Sequence, residues 1–172
     1  AQHDNMQSAA YRVIWGFLRK CPASKVRFCI FDPKEGGGSV RMLSNFVNKM
    51  PDSYKRAVTQ MSRTEELLSC LKELEGQTLD FIRDRPDYDD LLDYNAHNPR
   101  RTEAITLLML YDFPLNADAR CLELLSSVMQ KGNRCGIYVV LCRNTAVEVA
   151  SSYDHIDEKL AELEKNCVQI EC

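Results

Sequence analysis

The chain predicts an α/β fold in three layers: a mainly parallel sheet with helices packed on both faces. Two observations carry this. Ala104–Tyr111 and Ile137–Cys142 are short, continuously apolar runs, as is most of Val26–Phe31, and strands of that kind are buried on both sides. The segments between them place apolar residues at helical spacing, so strands and helices alternate. A third observation concerns chemistry. The first, third and fourth predicted strands give way to Asp32, to Asp112 and to Arg143-Asn144. Sheets of this type bind ligands at the carboxyl ends of their strands, so the convergence of these groups counts for more than any one of them.

Taken in order, the first element is a helix over residues 9–20, where Ala10, Val13, Ile14, Phe17 and Leu18 recur at helical spacing before Pro22 ends it. Val26–Phe31 follows as a strand. Asp32–Gly38 is a loop, because three successive glycines are entropically expensive inside an element. Ser39–Lys49 predicts a short helix with Met42, Leu43, Phe46 and Val47 inward, and Tyr54–Thr59 a short strand. Ser62-Arg-Thr-Glu65 is read as a capping box opening a helix whose inner face is Leu67, Leu71, Leu74, Thr78 and Phe81. Asp87–Tyr94 predicts a brief helix and Asn95–Thr102 a solvated loop, in which Arg100 and Arg101 are the groups able to meet a phosphate. Ala104–Tyr111 is the strongest strand. Asp118 caps a helix running to Gln130 and closed by Gly132. Ile137–Cys142 is a strand, Ile156–Lys165 a charged amphipathic helix, and Cys167–Ile170 a last short strand.

The 172 residues suit one domain spanning 1–172, and 45% hydrophobic content supplies a core. No run is apolar enough to cross a membrane, and the polar start (Asp4, Asn5, Gln7) does not read as a signal peptide. A net charge of -3 argues against a chain-wide nucleic-acid footprint and leaves room for a local one. The eight cysteines contain no CxxC pair and read as reduced, mostly buried thiols of a cytoplasmic protein. His3, His97 and His155 stand apart, so no metal site is expected.

Several residues carry two readings. Asp112 is a water-activating carboxylate or a loop-forming aspartate before Pro114. Asp32 and Lys34 form a strand-end ion pair or simply frame the Gly36–Gly38 turn. Arg134 is an arginine finger directed at a neighbouring subunit or a surface arginine between helix and strand. Trp15 and Phe17 read as core.

The order of the segments resembles the FtsK/SpoIIIE family of P-loop motor ATPases. Val26-Arg-Phe-Cys-Ile-Phe-Asp-Pro-Lys34 is similar to that family's "IDPK" strand-loop, and Tyr94-Asn95 to the "YN" that precedes its Walker B strand. Leu107–Pro114 (LLMLYDFP) resembles the Walker B strand, and Gly132–Leu141 the strand leading to the sensor residue. The similarity spans roughly residues 8–145. It implies a RecA-like P-loop NTPase core, ATP and magnesium as cofactors, ring oligomers, and either translocation of double-stranded DNA or service in type VII protein secretion.

The resemblance also exposes departures. It places the phosphate loop at residues 1–8, where only Ser8 fits GxxxxGK[ST]. Ala1 and Met6 replace the glycines, and Gln7 replaces the lysine. Glycine lets successive amides wrap the phosphates and lysine neutralises their charge, so this loop is a poor cradle. Ser8 is then a magnesium ligand or a plain N-cap. At Walker B, Tyr111 stands where an acid helps hold magnesium, and Asp112 at the catalytic acid. Asn144 occupies the sensor position. The resemblance therefore implies Asp112 and Asn144 as catalytic positions and Gln7, Ser8 and Tyr111 as nucleotide-binding ones.

The expectation is a degenerate, non-catalytic or regulatory ATPase-like module of a longer DNA-translocase-like or secretion-ATPase-like protein. Its partners would be other domains or copies, with DNA as a further ligand and any membrane anchor elsewhere. The alternatives are an active translocase domain completed by upstream segments or a neighbouring subunit, and an α/β interaction module without nucleotide.

Overall fold

A computed structural model describes residues 12–34, 45, 48–49, 51–143, 156–165 and 167–168. Residues 12–20 form helix α1. Strand β1 (Val26–Phe31) follows a short 3-10 turn, then come α2 (Asp52–Lys55), β2 (Val58–Met61) and the long helix α3 (Thr64–Asp84). Helix α4 (Leu91–His97) precedes β3 (Ile105–Phe113), and α5 (Ala119–Lys131), β4 (Ile137–Arg143) and α6 (Ile156–Lys165) complete the described elements.

The four strands form one parallel sheet in the order β2-β1-β3-β4. Side chains alternate between its faces, and the core divides accordingly. Cys29 and Phe31 of β1, Leu108 and Leu110 of β3 and Ile137 of β4 pack against α3, α5 and α6. Val26, Phe28, Ile30, Leu107, Met109, Tyr111 and Cys142 pack on the other face, against Ile14 and its neighbours on α1. Burial on both faces is why the strands are continuously apolar.

The structure moves several predicted boundaries. The strand expected at Tyr54–Thr59 is instead helix at Asp52–Lys55 and strand at Val58–Met61. The box expected at Ser62–Glu65 is shifted by one residue: α3 begins at Thr64, and the Glu66 carboxylate accepts from the amides of Ser62 (2.9 Å) and Arg63 (3.2 Å). Arg63 at the cap has no side-chain acceptor, so only the carboxylate half of such a box can form. The helix expected at Asp87–Tyr94 runs from Leu91 to His97, because Asp90 accepts from the Asp93 amide and sets its start. Asp118 does cap α5, through the Cys121 amide.

Gly132 closes α5 as expected, its amide donating to the Val128 carbonyl, but with right-handed backbone (φ -67°); the chain continues through a 3-10 turn to Gly136, at φ 71°. Gly136 is required for a second reason, since a Cβ there would lie 2.2 Å from Leu91 Cδ2. Cys167 and Val168 are not in a strand. Of the helix predicted over 39–49, Asn45 and Asn48 are helical and Lys49 lies in a turn; its other residues, the Gly36–Gly38 loop and most of the final strand lie outside the described residues. Among those described, no helix is long and apolar enough to cross a membrane.

Candidate functional site at the carboxyl edge of the sheet

β1 and β3 are adjacent and in register up to Phe31 opposite Leu110, so Asp32 and Asp112 emerge on one edge of the sheet. Both are almost fully buried, at 2% and 1% exposure. The Asp32 amide still donates to the Met61 carbonyl (2.9 Å), which ties the end of β1 to β2. Its carboxylate accepts from the Lys34 amide (3.0 Å), a turn that aspartate forms readily. That turn carries the Lys34 side chain across to β3, where its ammonium lies 3.0 Å from Asp112 Oδ1. Of the two readings of Asp32 and Lys34, the strand-end ion pair does not form between them: Asp32 accepts from the Lys34 amide, and the Lys34 ammonium pairs with Asp112.

Asp112 is placed by an irregularity in β3. The β3–β4 pairing passes from Leu110 opposite Leu141 to Phe113 opposite Arg143, so Tyr111 and Asp112 together face Cys142. This is a β-bulge, and Asp112 sits in it at φ 48°. Aspartate tolerates left-handed backbone better than most residues, which suits the position. The extra residue resets the alternation of side chains. Tyr111 belongs to the core beneath α1, whereas Phe113 packs on the α3–α5 face. Beyond the bulge, Leu115 donates to the Asp112 carbonyl (2.9 Å) and turns the chain towards α5. At the end of β4, Arg143 pairs with Glu164 of α6 (3.0 Å) and donates to the Phe113 carbonyl (3.4 Å).

The arrangement therefore gathers Asp32, Lys34, Asp112 and Arg143 at one edge, with Tyr111 directed into the core below. Gln7, Ser8 and Asn144 lie outside the described residues. Arg134 lies at the opposite edge, just before β4 begins. Its guanidinium donates to the main-chain carbonyls of Asp89 and Tyr88, at 2.9 Å each, and so anchors the loop before α4. Asn95 is likewise structural: its amide group exchanges hydrogen bonds with the backbone of Glu103 and fixes the approach to β3.

An open groove of about 820 Å³ also lies at the amino edge of the sheet, lined by Arg27, Arg56, Asp80, Arg85 and Glu103 among others. Its volume does not make it the better candidate, because none of the nominated residues lines it. Its charges also pair among themselves and with their neighbours: Arg85 with Glu103, Arg27 with Glu73, and Asp80 with Arg83. Among the described residues no three His, Cys, Asp or Glu side chains cluster as metal ligands. At the carboxyl edge, a magnesium ion bound to Asp112 Oδ1 at its usual distance of about 2.1 Å would have to displace the Lys34 ammonium. The described residues thus fit magnesium poorly.

Lys34 pairs with a different aspartate from the one its sequence position suggests. Its signal was present, two residues beyond a strand-terminal aspartate, but its partner depends on β1 lying beside β3.

No protein-family model and no curated protein matches the chain. Solved structures do. The cytoplasmic domain of the Thermomonospora curvata type VII secretion ATPase EccC superposes with a TM-score of 0.64 at 15% identity, covering 96% of this chain and 19% of that one. EssC (ATPases 2 and 3) from Geobacillus thermodenitrificans superposes with a TM-score of 0.56 at 13% identity, covering 80% and 26% respectively. The chain thus spans about a fifth to a quarter of the length of these proteins. At such identities the likeness is one of fold, and with the four-stranded parallel sheet it establishes a P-loop-ATPase-like, RecA-like α/β core.

Proposed function

We propose that this chain is a degenerate FtsK/SpoIIIE-type domain, a non-catalytic or regulatory module of a larger secretion-ATPase-like protein. The observation that carries this reading is the Lys34 ammonium on Asp112 Oδ1. A carboxylate that holds magnesium or orients water must present its charge to the reacting groups. Here that charge is compensated from within the chain. Tyr111 brings no second carboxylate, and the segment matching the phosphate loop lacks the lysine and glycines on which phosphate binding depends. The fold shared with EccC and EssC supports a secretion-ATPase-like setting, with other domains or copies of the same protein as partners.

The test is calorimetric titration of the chain with ATP, with and without magnesium, alongside thermal melting. The expected result is no magnesium-dependent binding at millimolar nucleotide and no shift in melting temperature. Tight, magnesium-dependent binding would overturn the reading in favour of an active ATPase domain completed by other segments.

A further inference from the structure

Two surfaces away from the carboxyl edge have opposite character. The first is the outer face of α1. Val13, Ile14, Phe17 and Leu18 turn inwards to the core. Arg12, Trp15, Gly16 and Arg19 stand at i, i+3, i+4 and i+7, so they share the opposite stripe, with Lys20 beside them. All five are exposed, and Trp15, whose place in the sequence suggests core, is 48% exposed. This face holds cations, one indole and a glycine. It has no acid, and the sequence has none between Asp4 and Asp32. Among the described residues no carboxylate pairs with Arg12, Arg19 or Lys20.

The second surface is the loop between α3 and α4. It exposes Asp87 and Asp89, and Leu92, on the first turn of α4, is 54% exposed. The neighbouring aspartates are engaged: Arg83 pairs with Asp80 and Asp84, Asp90 caps α4, and Asp93 meets His97. Asp87 and Asp89 have no cation partner among the described residues. Arg134 holds the loop's main chain at Tyr88 and Asp89. Leu91 and Tyr94 of α4 belong to the core on the sheet face opposite α1.

We propose that the outer face of α1 docks on the Asp87–Leu92 loop of a second copy of this chain. The inference deepens one part of the reading above, that copies of the protein are its partners, and rests on that part alone. Charge complementarity selects the occupant. Arg12 and Arg19 lie about 10 Å apart along the helix with Trp15 between them. Their long side chains can converge on the two aspartates, while Leu92 supplies apolar surface to cover the indole. The wrong pairings are suppressed, because α1 on α1 or loop on loop would oppose like charges. The two surfaces belong to opposite layers, so the contact is heterologous: each copy offers α1 to one neighbour and its loop to another. A bilayer would require apolar side chains on the outer face, and those of α1 other than Trp15 are turned inwards. A second copy offers both the carboxylates and the apolar patch. Exposed ion pairs are individually weak, so the association depends on concentration and on salt.

The test is sedimentation velocity of the whole chain at graded concentration, in low and high salt, with the emission of Trp15, its single tryptophan, read alongside. The expected result is association that grows with concentration, weakens about tenfold in high salt and shifts the emission to the blue as the indole is covered. Arg12→Glu with Arg19→Glu should leave a folded monomer, as should Asp87→Lys with Asp89→Lys. Mixing the two variants should restore association, because each reversed surface then meets its complement. If one variant fails to fold, the other decides together with the salt dependence of wild type. A chain that stays monomeric at millimolar concentration in low salt would overturn the proposal, as would association indifferent to both reversals. A Trp15 shift produced only by phosphatidylserine vesicles or by a single-stranded oligonucleotide would overturn it too, in favour of another polyanion. No nucleotide is present, so failure here is distinct from failure of the nucleotide reading, which the ATP titration tests.

Discussion

Lys34, in the loop after β1, sets its ammonium 3.0 Å from Oδ1 of Asp112, the bulged residue of β3. The pair is asymmetric. The carboxylate is 1% exposed, whereas the lysine side chain is 45% exposed. Coulomb attraction at such a boundary is weaker than in a dry interior, yet the buried partner depends on it.

Removing the cation while keeping the alkyl stem, as in Lys34→Met, should therefore destabilise the domain by about 1–3 kcal/mol. Asp112→Asn should lose less, because asparagine keeps the shape, tolerates the left-handed backbone and leaves no buried charge behind. Urea unfolding of both variants measures the difference. Equal stability of Lys34→Met and wild type would show that the ammonium is dispensable.

Gly136→Ala should be among the more damaging small substitutions. Alanine at φ 71° carries backbone strain, and its methyl would lie 2.2 Å from Leu91 Cδ2. Together these predict a loss of about 2–4 kcal/mol. Combining it with Leu91→Ala should cost less than the sum of the two single losses, because the clash disappears. A double-mutant cycle by thermal or urea unfolding checks this.

The start of α3 should weaken in acid. Amides of Ser62 and Arg63, with the Arg63 side chain, hold the Glu66 carboxyl from its ordinary 4.5 down to about 2. A carboxyl with a depressed folded value stabilises above its unfolded value and loses that contribution as pH falls. The window is therefore from about 4.5 down to about 2. Amide exchange at the first turn of α3 should accelerate across it, and Glu66→Gln should flatten the response. A first turn in wild type indifferent to this pH range would refute the assignment.

Arg134→Ala should release the loop before α4, since two carbonyls lose a charged donor. The expected loss is about 1–3 kcal/mol, with Arg134→Lys recovering only part because an ammonium lacks the planar fork. Proteolysis near Tyr88–Asp90 should rise in parallel. Unchanged stability and cleavage would leave Arg134 without this anchoring role.

The strands and long helices were legible because burial on both sheet faces imposes continuous apolar runs and one-sided helix burial imposes periodicity. Val26–Phe31 and Ile156–Lys165 are reproduced residue for residue. Boundaries set by a single hydrogen bond were not. Nothing local distinguishes Glu65 from Glu66 as the residue that reaches back to the cap, or Gly132 from Gly136 as the left-handed one. At the site, Asp32 and Asp112 were marked by ending apolar strands. The bulge escaped notice because the pattern Tyr111-Asp112-Phe113 suits a regular strand end equally well, and only pairing with β4 reveals the extra residue. The Lys34–Asp112 contact depends on strand order, which no segment of the sequence contains by itself.

The unequal packing of the two sheet faces bears on how the domain breathes. Among the described residues, α3, α5 and α6 share the extensive core, whereas α1 rests on the smaller cluster around Ile14, Tyr111 and Cys142. Opening events begin where the least apolar contact must be given up. α1 would then peel away as a cooperative unit while the opposite layer stays closed, giving its amides exchange rates set by a partial opening rather than by global unfolding. Such an opening would briefly wet Tyr111 and the underside of the bulge while leaving the core beneath α3 and α5 dry, so the two faces of one sheet would respond to their surroundings on separate timescales.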